Sequence, residues 1–296
     1  MGVKLPISKK NISQRPLKEI NSENNLNTND SINLIKLDSK GGHLIDKLSN
    51  DYWNNKEIER NKIFNVSKIG FNDLENSAKY NNLLNHIDSL FIKQNIDFNN
   101  KNILSIASGI CWIESKIFNN NKFNSLSCND ISLHRIHELA PKTLNHYGIN
   151  KNVNLLHGNI FDIGNATKAK YDLVFLCQAF HHIDEPIRLL RIMNDVMSNN
   201  GVIFITGEHY YSSIEYHKRA IKHFIKYLIN YKNYRHLNNF YPSWQDLFRP
   251  SFSKGDIHWS LNEYNFIFKK SGFDNYYHYI SKCKRYQSFI LKKSEN

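Results

Sequence analysis

Residues 101–111 read Lys-Asn-Ile-Leu-Ser-Ile-Ala-Ser-Gly-Ile-Cys, and the fold turns on how that stretch is read. Ile103-Leu104-Ser105-Ile106-Ala107 is a short run, apolar on both of its faces, that ends in the small residues Ser108-Gly109. Such a run is a strand buried on both sides, entering a tight turn and then a helix that extends to about Phe118. Working outward, the same rhythm recurs. A strand covers Ser125 to Cys128, a helix spans about 132–147, and strands cover Val153 to His157 and Leu173 to Cys177. A helix over about 185–198, the turn Asn199-Asn200-Gly201 and a strand from Val202 to Thr206 complete the series. Strand and helix alternating in this way predict an α/β fold, with a doubly wound, mostly parallel, Rossmann-like sheet and helices on both faces.

The flanks break this rhythm. Residues 1–45 are polar with no sustained period, which predicts a mobile tail. Over 46–100 the spacing turns helical, with Ile45, Leu48 and Tyr52 on one face and Leu83, Leu84, Ile87, Leu90 and Phe91 on another, so a helical cap is expected before the 101–211 core. Residues 212–254 form a helix-rich, aromatic insertion after the fifth strand of the core. Over 255–296 the core resumes. Ser260 and Glu263 have the spacing of a capping box, a helix runs to Ser271, Gly272 suits the left-handed residue that ends it, and Tyr276–Ile280 and Tyr286–Leu291 are β-prone.

The chain of 296 residues carries a net charge of +12, and 41% of it is apolar, which excludes wholesale disorder. No run approaches the roughly 18 apolar residues of a membrane span, and the first residues lack the apolar segment of a secretory signal, so a cytoplasmic location without membrane attachment is expected. Cys111, Cys128, Cys177 and Cys283 have neither zinc nor disulfide spacing, and no metal site is expected.

In an open parallel sheet, ligands bind beyond the carboxyl ends of the strands where strand order reverses. The end of the first core strand, Ala107-Ser108-Gly109, offers a close backbone approach and the amides of the following helix. Asp130 stands 21 residues after Gly109 at the end of the next strand, where a carboxylate can accept both hydroxyls of a ribose; the lesser alternative is an N-cap for the helix starting at Ser132. The Gly-x-Gly-x-x-Gly pattern of nicotinamide dehydrogenases is absent.

Strand by strand, the pattern resembles the class I S-adenosylmethionine-dependent methyltransferases of small-molecule type. Residues 103–111 stand where that family has its glycine-rich loop. Leu155-Leu156-His157-Gly158-Asn159-Ile160-Phe161-Asp162 resembles its third-strand segment, whose polar residue contacts adenine, and Tyr171 through His182 its fourth strand with a double histidine. Val202 through Glu208 resembles the fifth strand, and 255–273 the entry to the sixth. The resemblance implies S-adenosylmethionine as cofactor, held by Ala107, Ser108, Gly109, Asp130, Asn159, Ile160 and Gln178. Ser105 stands where the family usually has an acid, Ala107 and Cys111 where it has further glycines, and Asn159 where Asp is frequent.

Methyl transfer from a sulfonium is an in-line displacement that needs alignment and sometimes a base. His181, His182 and His209 are the candidate catalytic residues, and Glu208, Tyr210 and Tyr211 beyond the fifth strand are candidates to meet the acceptor. A locally packed role for the double histidine is the alternative. Between Ser212 and Lys254 eight Lys/Arg face only Glu215 and Asp246, a net +6, together with ten aromatics. Lys222 and Trp244 would then belong to a lid over a small or carrier-bound anionic biosynthetic acceptor, methylated on O or N. An RNA substrate is the competing partner, since cations interleaved with aromatics also suit nucleic acid. A cyclase or lyase using the same cofactor is the competing chemistry.

Overall fold

The computed structural model describes residues 32–37, 71–119, 122–166, 170–229 and 257–293. Eight strands form one sheet. They are β1 (Ile32–Lys36), β2 (Asn102–Ile106), β3 (Ser125–Asp130), β4 (Val153–His157), β5 (Tyr171–Cys177), β6 (Met197–His209), β7 (Tyr276–Ile280) and β8 (Tyr286–Lys292). The order across the sheet is β1-β4-β3-β2-β5-β6-β8-β7. Strands β1 to β6 pair in parallel, and β8 joins antiparallel to β6 and β7. The chain steps from β2 outward through β3 to β4 and then returns to β5 on the other side of β2. The reversal of order therefore falls between β2 and β5, and the loops after those two strands open together at one end of the sheet.

Alternation along the strands explains the two layers. Leu104, Ile106, Val174, Leu176, Ile203 and Ile205 point to one face, where they meet α6 (Pro186–Val196) and α8 (Leu261–Lys270) through Leu189, Leu190, Met193, Ile267 and Phe268. Ile103, Leu126, Leu173, Phe175 and Phe204 point to the other face. There they meet α2 (Ala78–Lys93) through Leu83, Ile87, Leu90 and Phe91, and α4 (Ala140–His146) through Ala140 and Leu144. Because both faces of each inner strand are covered, the strands are nearly continuous apolar runs. The short helices α1 (Asn72–Glu75), α3 (Trp112–Ile117) and α5 (Ile163–Ala166) and the longer α7 (Ser213–Ile229) complete the described elements.

Four differences from the sequence reading have physical causes. The expected tail contains β1, which pairs with β4 from Ile32 opposite Val153 to Lys36 opposite His157; as an edge strand it leaves Leu34 and Ile35 exposed, so it shows no clean alternation. The rest of 1–45 lies outside the described residues. Helix α2 is no cap on the core but one of its layers, with Leu83 and Ile87 completely buried against the sheet. The single helix expected over 132–147 is a π-helical segment, His134–Leu139, running into α4. Pro141 offers no N–H to the carbonyl four residues back, and the wider turn accommodates that gap. The turn at Asn199-Asn200-Gly201 lies within β6, as an irregularity between the Tyr171–Met197 and Leu173–Val202 pairs. The capping box is formed as expected: Glu263 N–H donates to Ser260 Oγ at 3.3 Å, and Ser260 N–H donates to Glu263 Oε2 at 2.7 Å.

Candidate active site

The loop after β2 is built on left-handed residues. Ala107, Gly109 and Cys111 have φ of +51°, +59° and +59°. The backbone thus keeps the turn that glycines would form, although two of the three positions carry a Cβ, which costs about 1–2 kcal/mol each. Three hydrogen bonds hold the loop to β3: Ser108 N–H and Ser108 Oγ–H donate to the Asn129 carbonyl at 2.9 and 3.2 Å, and Gly109 N–H donates to Asp130 Oδ2 at 2.8 Å. The other Asp130 oxygen, Oδ1, accepts from Ser132 N–H at 2.8 Å. Asp130 thus caps the turn into the next helix and, through its other oxygen, ties the loop after β2. Asn159 lies beyond β4, with Oδ1 accepting the Phe161 N–H at 3.0 Å, so the oxygen expected to receive an adenine amino group also caps a turn. Ile160 follows it in that turn, half-buried.

Under this loop lies a carboxylate that the sequence reading passed over. Glu114, in the first turn of α3, is 2% exposed and accepts Ser105 Oγ–H at 2.6 Å through Oε1, while Oε2 is buried without a hydrogen-bond partner. Burial pushes its pKa up to about 7, and the nearby Asp130 charge adds to this against the Ser105 hydrogen bond. An acid nine residues after the unusual Ser105, on the inward side of the next helix, was the available signal.

Beyond β5 the chain turns through Gln178, at φ +53°, whose N–H donates to the Thr206 carbonyl at 2.9 Å. Gly207 makes room for this turn, since a Cβ there would come within 2.7 Å of Gln178 Cγ. The next residue, Glu208, is completely buried at the end of β6. It accepts the Ala179 and Phe180 N–H groups at 3.2 and 3.0 Å through Oε1 and faces His181 Nδ1 at 3.0 Å through Oε2, with Tyr264 OH at 3.4 Å. Burial raises the Glu208 pKa, but the attraction and hydrogen bond of His181 outweigh it and leave the carboxyl below its ordinary range. This corrects the expectation that Glu208 meets an acceptor: it is the anchor of the histidine turn.

The three candidate histidines come together. The His181 ring centroid lies 4.1 Å from that of His182 and 5.5 Å from that of His209. His258, which precedes α8, joins them parallel to His181 at 6.4 Å and 4.9 Å from His209. Tyr211 packs beside His209 and His258 at 6.3 and 5.4 Å, with the Arg219 guanidinium of α7 over its ring at 4.7 Å. Tyr210 N–H donates to the Arg285 carbonyl at 3.1 Å. Lys222 is exposed on α7, whereas Trp244 lies outside the described residues. Among the described residues no group of three His, Cys, Asp or Glu side chains converges to hold a metal ion, and no helix is long and apolar enough to cross a membrane.

The strained loop makes one outcome specific. Ala→Gly ordinarily costs about 0.5–1 kcal/mol inside regular structure. Ala107→Gly should instead leave the urea midpoint unchanged or raise it, because glycine takes φ of +51° without a Cβ clash.

A family model described as a methyltransferase domain matches residues 104–203, which run from β2 into β6. No curated protein matches the chain in sequence. Among solved structures, the magnesium protoporphyrin IX methyltransferase of Synechocystis with bound S-adenosylhomocysteine is 10% identical with a TM-score of 0.54, over 84% of this chain and 99% of that one. A Nostoc punctiforme protein described as an O-methyltransferase is 15% identical with a TM-score of 0.50, over 71% of this chain and 57% of that one. The pyocyanin biosynthetic protein PhzM is 14% identical with a TM-score of 0.50, over 77% and 60%. The chain therefore spans less than two thirds of the length of the latter two. At these identities the neighbours establish the fold, and the family match adds a methyltransferase domain over 104–203. The loop, the Asp130 carboxylate, Asn159 and the unpaired Glu114 oxygen are a donor set that fits a nucleoside bearing a cation. Residues 104–203 thus match a methyltransferase domain, set in a fold shared with a solved methyltransferase that holds S-adenosylhomocysteine.

Proposed function

We propose that this enzyme methylates an oxygen or nitrogen of a small anionic acceptor, with His181 as the proton acceptor and Glu208 as the residue that positions it. The observation that carries this reading is the 3.0 Å contact between His181 Nδ1 and a carboxylate that is itself completely buried. An ionised carboxylate can only accept, so the proton of the neutral ring sits on Nδ1 and the basic nitrogen is Nε2. A base fixed in one tautomer is what a hydroxyl or amine needs as it attacks. S-adenosylmethionine, when bound, supplies an electrophilic methyl group. Ala107, Ser108, Gly109, Asp130, Asn159, Ile160 and Gln178 would hold it across the β2, β3, β4 and β5 ends, beside the histidines rather than among them.

The acceptor side is read from α7. Lys218, Arg219 and Lys222 lie within one turn and a half of that helix, and Arg219 reaches the Tyr211 ring next to His209. Arg219 is also paired with Glu215 at 2.8 Å, which fixes the guanidinium there. Cations around an aromatic and imidazole wall favour an acceptor with a ring and a carboxylate or phosphate. Tyr211 and His209 would meet the ring and Lys222 the anion, with Trp244 as a further candidate.

The reading is tested by product and rate. Incubation with hydroxyl and amine acceptors bearing a carboxylate or phosphate should release S-adenosylhomocysteine; methylthioadenosine would instead mark a cyclising or lyase reaction. His181→Ala should lower kcat by about 10²–10⁴-fold with cofactor affinity unchanged. Glu208→Gln should lower kcat as well, because an amide no longer fixes the tautomer. An unchanged kcat in His181→Ala would remove the base assignment. Lys222→Glu should raise the acceptor KM, by less as salt is added, since an exposed charge is screened beyond about 8–10 Å. A KM that does not move would remove the anionic acceptor.

A further inference from the structure

A carboxylate rarely stays buried without a cation or a full set of donors, because removing it from water costs several kcal/mol. Glu114 is 2% exposed, its Oε1 has the Ser105 hydroxyl, and its Oε2 has nothing. No ion pair among the described residues includes it. Its surroundings make the deficit worse. From β3 the facing groups are Asp130, a second acid that repels it, and the thiol of Cys128; from the loop comes Cys111, from β5 Cys177, and from β2 Ser105. The α2 and α4 side chains in the same cluster, Leu83, Ile87 and Leu144, are apolar.

Position gives the deficit a meaning. Ser105 stands two residues before the left-handed loop and Glu114 three residues after it, so their hydrogen bond closes the base of that loop. The ligand expected above it is a sulfonium that also carries an ammonium group. It brings the positive charge that the protein itself does not provide.

We propose that Glu114 is the anionic partner of the cationic methionine end of the cofactor, and that it releases a proton when that cation binds. The inference rests on the S-adenosylmethionine assignment and adds to it a residue, a discrimination and a pH dependence. Hydrogen bonding to Cys111 and burial push the Cys128 thiol well above its ordinary value, and burial does the same to Cys177. Neither thiol therefore contributes a proton near neutrality. The Glu114 carboxyl, pushed up to about 7 by burial, holds a proton in part of the free enzyme near neutrality. A bound cation favours the ionised form, so the proton leaves. S-adenosylhomocysteine has a neutral sulfur and draws less charge from Glu114, so the same residue would favour release of the spent cofactor.

The test is calorimetry on the full chain with S-adenosylmethionine and S-adenosylhomocysteine, at several pH values and in two buffers of different ionisation heat. For the wild type, a fraction of a proton should be released per S-adenosylmethionine near neutral pH, and affinity should fall on the order of tenfold from pH 8 to pH 6. S-adenosylhomocysteine should show a smaller release and a shallower slope. Glu114→Gln, which keeps the shape and the acceptor for Ser105, should abolish the proton release and weaken S-adenosylmethionine more than S-adenosylhomocysteine. Ser105→Ala should move the midpoint of the pH profile upward, since it removes the hydrogen bond that favours the ionised form. A Glu114→Gln protein that melts like the wild type and keeps both the proton release and the preference between the two ligands would overturn the proposal. Wild type that binds neither ligand would overturn both the proposal and the cofactor assignment.

Discussion

A single buried carboxylate connects the parts of this molecule that a reaction would use. Glu208 ends the longest strand of the sheet, and its two oxygens receive two backbone amides and face an imidazole from the turn after β5. With the Tyr264 hydroxyl of α8 also within reach, one side chain draws together β5, β6 and the last helix. A charge can be kept in such a place only when its lone pairs are answered, and each answering group is fixed in return. The orientation of His181 is therefore a consequence of the fold rather than of local chance, and so is the gathering of His182, His209 and His258 around it.

The sheet determines where this happens. Strand order reverses between β2 and β5, so the loops after these strands share one end of the sheet. One loop, left-handed at three alternate residues, is tied by Asp130 to β3 and undercut by Glu114; the other carries the histidines. The two anionic centres differ in kind. Glu208 has an imidazole and amides around it and is held below the usual carboxylate range, whereas Glu114 has one hydroxyl and is pushed up to about 7. The contrast between a satisfied acid and an unsatisfied one separates a positioning role from a ligand-seeking one.

The strands could be read from the sequence because two-sided burial makes them continuous: Ile103 to Ile106 and Leu173 to Leu176 allow no other assignment of comparable simplicity. The capping box at Ser260 was legible for a similar reason, since its chemistry is confined to three residues. What periodicity cannot give is the surface a face is buried against. The Leu83, Ile87 and Leu90 stripe therefore read as a cap when it is a core layer, and Ile32–Lys36 vanished among polar neighbours because an edge strand exposes both of its sides. Glu208 read as an acceptor contact, since its place beyond a strand end was visible and its four partners, three of them 27 to 29 residues earlier and one 56 later, were not. Glu114 is not marked by periodicity, because its contact with Ser105 forms only when the loop after β2 folds the next helix back and brings a carboxylate to that strand end.

The claim beneath all of this is that the ends of β2 and β3 bind S-adenosylmethionine, with Asp130 as the residue that both shapes the loop and meets the ribose. Calorimetric titration of S-adenosylmethionine into the wild type and into Asp130→Ala measures it most directly. The account predicts saturable binding at one site in the wild type and a loss of at least tenfold in Asp130→Ala, about 1.4 kcal/mol or more. Equal affinity in the two folded proteins, or no binding in either, would contradict it.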